Sequence, residues 1–140
     1  MLSYKNIITK KENRGMDKLL ILKLSDTDRT IPFGDKKGLL ERANGAWRIS
    51  LNRIKGVKKA LLLFRGRVLA EYEIGSKIIV TVEEVKGKER HRLTFDMKEV
   101  ENSVYKDRIL DYRTANPASV LDVGKIKYRK DDVLSGAEQK

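Results

Sequence analysis

The chain has 140 residues, the length of one ordinary domain, and can bury a core of its own without a disulfide or a metal staple. It has no cysteine and a single histidine, His91, which excludes a disulfide scaffold, a thiol nucleophile and a thiolate zinc site, so neither a metal nor another cofactor is expected. Residues 71–140 are neutral in sum, and the whole net charge of +11 lies in residues 1–70.

Residues 1–17 are polar and predict a loose N-terminus with no apolar run of signal-peptide length. ALLLF, the longest strongly apolar stretch, is far too short to span a bilayer, so the expectation is a cytoplasmic protein with no membrane partner. LLILKL at 19–24 reads as a buried strand. DTDRTIPFGDKKG is turn chemistry, and its Lys36-Lys37 pair just before a helix could hold a phosphate at the helix N-terminus, although GDKKG lacks the P-loop spacing. A helix opened by Gly38 follows, with Leu39, Leu40 and Ala43 on one stripe, and Asn44-Gly45 ends it.

AWRI reads as extended, and Ser50 caps a short second helix over LNRIKGV that stops at Gly56. ALLLF-RG-RVLAEYEI is a hairpin with a tight Arg65-Gly66 turn. Its second arm alternates, with Val68, Ala70, Tyr72 and Ile74 on one face and Arg67, Leu69, Glu71 and Glu73 on the other. Gly75-Ser76 reads as a turn, and KIIVTVEEV with RHRLTFDM as a second hairpin across KGKE. Residues 99–113 fit a helix or irregular structure; Asn116-Pro117 turns the chain into a last strand at Val120–Val123. The organisation is a single α+β domain over 18–128 with a frayed tail at 129–140. At least six strands and two or three short helices predict a mainly antiparallel curved sheet or a small barrel.

Asn44, Gly45, Ala46, Trp47, Arg48 and Ile49, then Ala60–Phe64 and Gly66, resemble a Gly-x-Trp-Arg module appended to bacterial nuclease and defence proteins. Leu93-Thr94-Phe95 and Asn116-Pro117 fall where that module has Trp-x-Phe and Asn-Pro. The layout is also similar to the PUA-like barrels of the EVE, YTH and ASCH type, over residues 19–126. The resemblance implies a PUA-like barrel that binds RNA or modified bases in DNA, in a phage or defence setting. Asn44, Ala46 and Leu93 replace the module's arginine, aromatic and second tryptophan, so it implies backbone binding more than base reading here.

The residues themselves point the same way. From Arg42 to Ala70 there are Arg42, Arg48, Arg53, Lys55, Lys58, Lys59, Arg65 and Arg67, and no acidic residue. Uncompensated positive charge repels itself in the folded state, so such a segment fits an anionic partner, nucleic acid first and an acidic protein face second. Trp47 is either an anchor for this segment or a ring that stacks on a base. Tyr72 reads as core and His91 as solvated. No catalytic residue is assigned. A third reading, a magnesium nuclease, rests on Glu84-Val85-Lys86 with Glu71 or Glu73 as the second carboxylate. Asp107 and Asp111 would share a face only if their segment is helical.

Overall fold

LLILKL is apolar at nearly every position because both faces of its strand are covered. In the computed structural model, which describes residues 17–25, 27 and 30–130, this run forms β1 (Lys18–Leu24). Beside it lies β2 (Lys59–Phe64), which is buried in the same way. Burying one leucine stabilises a fold by about 1.5–3 kcal/mol, more than a surface ion pair, so this doubly covered pair dominates the architecture. β1 and β2 are parallel, in register from Leu19↔Lys59 to Leu24↔Phe64. A parallel pair needs a crossover, and α1 (Lys36–Asn44) and α2 (Leu51–Ile54) supply it.

β3 (Arg67–Val85), β4 (Lys88–Glu99) and β5 (Ala118–Asp122) complete a five-stranded sheet of order β4-β3-β2-β1-β5, and a 3₁₀ turn follows at Val123–Lys125. The other three pairings are antiparallel, so the sheet is mixed. It curls into a half-barrel. On its concave side Leu20, Leu22, Leu62 and Tyr72 pack with Leu39 and Ala43 of α1, Ile54 of α2, and Leu93 and Phe95 of β4. On the other side Leu19, Ile21, Leu61, Leu63 and Val68 are covered by Leu110, Tyr105, Tyr112 and Tyr128.

The structure bears out the strand at 19–24, the stop at Asn44-Gly45, and the Ser50 cap, whose hydroxyl accepts from the Arg53 N–H. It also bears out the Arg65-Gly66 turn, with φ of 50° and 87°. Elsewhere it corrects the expectation. Asp35, not Gly38, opens α1: its carboxylate accepts from the Gly38 N–H at 3.1 Å. Gly75-Ser76 is not a turn, because β3 runs through it as one 19-residue strand. A Cβ on Gly75 would lie 2.5 Å from the Asp96 carbonyl oxygen, and the ladder shifts register between Ile74 and Ile78. The glycine marks a bulge.

A second shift, between Leu62 and Leu63, leaves Leu69 without a ladder partner. Val68 therefore packs with the Leu61 and Leu63 cluster, opposite Ala70 and Tyr72, instead of sharing their face. The expected second hairpin forms, but its turn is Lys86-Gly87, and Lys88 and Glu89 belong to β4. Residues 100–113 are irregular, with bridges at Ile109 and Leu110, and β5 begins at Ala118. The count among the described residues is thus five strands rather than six. No helix among them is long and apolar enough to cross a membrane. Most of the loose N-terminus and frayed tail expected at 1–17 and 129–140 lies outside the described residues.

Candidate nucleic-acid interface

Three short contacts convert the stretch from Arg42 to Ile49 into a latch. The Asn44 side-chain oxygen accepts from the Met97 N–H at 2.9 Å. Trp47 and Leu93 exchange two backbone hydrogen bonds of 2.8 Å. The indole N–H of Trp47 donates to the Ala43 carbonyl at 2.7 Å, satisfying an acceptor that the helix end leaves open. The ring is half-buried against the concave core. Trp47 therefore anchors the segment, holding the end of α1 to β4.

The basic residues that follow do not form one patch. β2 is an interior strand, and its six residues separate Lys59 from Phe64 by roughly 17 Å. Arg48, Arg53, Lys55, Lys58 and Lys59 lie before or at its start, and Arg65 and Arg67 beyond its end. Exposure and pairing divide them further. Lys59 is tied to Glu71, 3.6 Å away, and Arg67 donates to the Asp107 carbonyl at 2.8 Å. Arg42 is half-buried and reaches the Thr30 carbonyl, and Arg65 lies 5.0 Å over the Phe64 ring. Arg48, Arg53, Lys55 and Lys58 are exposed, and no carboxylate among the described residues pairs with them. They form a strap from Trp47 to β2. Lys55 and Lys58 line an open hollow of about 710 Å³ between α2 and β3, together with Asn52, Ser76 and Ile78.

A second basic group sits at the other end of β2. A hollow of about 720 Å³ is lined there by Phe33, Lys36, Arg65, Arg67, Lys106 and Arg129. Phe33 is 59% exposed and meets Phe64 edge-on at 5.4 Å. Phe33, Lys106 and Arg129 were not legible as site residues, because they come from three segments far apart in sequence. Lys36 was visible only as half of a lysine pair. Tyr72 lies under this hollow, and burial, then the Glu99 charge, push its hydroxyl above the ordinary phenol range.

The carboxylates of the nuclease reading are spread out. Glu84 is exposed near the hairpin tip, and Lys86 is in the turn with φ 52°. Glu71 is roughly 40 Å of extended chain from Glu84. It is 4% exposed and accepts from the Ser103 hydroxyl at 2.5 Å. Glu73 pairs across the ladder with Lys98. Asp107, at φ 69°, and Asp111 are not on a helix. Among the described residues no group of three or more histidines and carboxylates is placed to hold a metal. His91 is exposed on β4, as its charged neighbours imply. Comparison with protein-family models, with curated proteins and with solved structures finds no match to this chain.

Proposed function

We propose that the protein is a non-catalytic nucleic-acid-binding module that grips the phosphate backbone through the strap from Arg48 to Lys58. The observation that carries this reading is the set of four exposed cations, Arg48, Arg53, Lys55 and Lys58, without a carboxylate partner among the described residues. Such cations gain most from an external polyanion, since no internal pair has to be broken first. The curled sheet with few helices is compatible with a PUA-like barrel, and we place the module in the cytoplasm, in a phage or defence setting. Lys59 and Arg42 flank this surface, and Arg65 and Arg67, beyond the other end of β2, lie outside it.

The test is binding to duplex and single-stranded oligonucleotides across a salt series. Four duplex phosphate contacts give a log–log slope of about 3.6, or roughly a 150-fold loss between 50 and 200 mM salt. Arg48→Glu with Lys58→Glu should lower that slope by about two. No binding at low salt, or a slope that the double variant leaves unchanged, refutes the proposal. Recovery of an acidic protein that survives nuclease treatment of the lysate would point to the protein-docking alternative.

A further inference from the structure

The ladder between β2 and β3 ends at Glu73, with one further bond from the Ile74 N–H to the Lys58 carbonyl at 2.8 Å, whereas β3 continues to Val85. Among the described residues no strand lies along this edge of β3 beyond Glu73. The arm formed by Ile78–Val85 and Lys88–Phe95 is thus a two-stranded ribbon, a structure only marginally stable in water. Its free edge carries Ile78-Ile79-Val80-Thr81-Val82, a run of β-branched residues. Ile79, Val80 and Val82 are 52%, 39% and 54% exposed. An edge of this composition is a template for another strand. The charges flank it: Lys77 before, Glu83 and Glu84 after.

Backbone polarity on this edge follows from Trp47. Leu93 gives both its N–H and its C=O to Trp47, so its pairing with Val80 across the ladder is a non-hydrogen-bonded one. Val80 therefore turns its own N–H and C=O to the free edge, and by alternation so do Ile78, Val82 and Glu84. The hollow beside Ile74, Ser76 and Ile78 leaves that approach open.

We propose that this edge is the interface for a second copy of the same chain, paired antiparallel about a twofold axis at Val80. A residue then faces the one whose number completes twice that of the centre. Val80 meets its own counterpart in a hydrogen-bonded pair, Val82 meets Ile78, and Glu83 meets Lys77, twice over by symmetry. Centring the axis on Ile79 or Thr81 brings Glu83 opposite Gly75 or Ile79 instead, so charge selects the Val80 register. Glu83 already accepts from Arg92 on β4 at 3.1 Å, and Lys77 of the second copy would approach it from the opposite side. The interface goes beyond the nucleic-acid reading and does not depend on it.

The experiment exploits the absence of cysteine. In a hydrogen-bonded antiparallel pair the facing Cα atoms are about 5.5 Å apart, within disulfide reach. Mild oxidation should convert most of a Val80→Cys chain to a covalent dimer, at a rate at least tenfold that of an Ile79→Cys chain. By light scattering the native chain should double in mass as concentration rises. Lys77→Glu alone and Glu83→Lys alone should each weaken the dimer, and the two together should restore it. Rescue by the double variant cannot come from a fold defect. A native chain that stays monomeric, equal cross-linking at both positions, or no rescue would overturn the proposal.

Discussion

At residue 45 the main chain has a φ of 106°, and a Cβ there would lie 2.9 Å from the Leu93 carbonyl oxygen and 2.7 Å from the Trp47 ring. Gly34 also has a positive φ, 76°, but open space around it. The pair separates backbone strain from crowding. Gly34→Ala should cost about 1 kcal/mol from strain alone, and Gly45→Ala about 2–3 kcal/mol because the latch to β4 must also shift. Urea denaturation midpoints of the two variants, at unchanged slope, check this; equal losses would mean that the latch yields freely. The anchoring role of Trp47 was one of two readings open in the sequence. The anchor is built from contacts with Ala43 and Leu93, and only folding brings Leu93 there. The same holds for the cations: adjacent in sequence, they are sorted by partners such as Glu71 and Asp107 that lie far along the chain.

Among the elements, β3 concentrates both the successes and the failures of reading the chain locally. Its two turns were legible, because Arg65-Gly66 and Lys86-Gly87 need positive φ at adjacent positions and glycine marks the site. The bend at Gly75 was misread as a turn. A glycine inside a strand can serve a turn or a close backbone approach, and only the partner strand distinguishes them. Val68 was put on the wrong face for the same reason, since the Leu62/Leu63 shift belongs to the pairing with β2, not to β3 itself. The parallel β1–β2 contact was missed although its strand–helix–helix–strand order was read, because the hairpins that follow set the expectation of antiparallel pairing. Gly75→Ala should destabilise the fold by about 1–3 kcal/mol, since the new Cβ meets backbone, which cannot rotate away as a side chain can. Amide exchange should then quicken at Ile79, Thr81, Glu83 and Val85, the residues beyond the bulge whose N–H groups face β4. A loss below about 0.5 kcal/mol would mean that the two strands part at Asp96 without penalty.

On the scale of the whole molecule, the basic strap and the free edge turn out to be neighbours. Arg48 and Leu51 line the same hollow as Val80, so the strap lies next to the proposed twofold axis. A rotation about that axis sets two straps side by side on one face of a continuous four-stranded ribbon. A duplex of about 20 base pairs could then touch both, and its binding should release roughly twice the counterions that one strap releases. The covalent dimer of the Val80→Cys chain isolates this effect without altering any charge. At protein concentrations where the reduced chain is monomeric, the oxidised dimer should show about double the log–log salt slope on the long duplex. On a duplex of about 8 base pairs, too short to bridge two straps, oxidised and reduced protein should give the same slope. Equal slopes on both lengths would place the straps on opposite sides of the assembly, and the strap would then act singly.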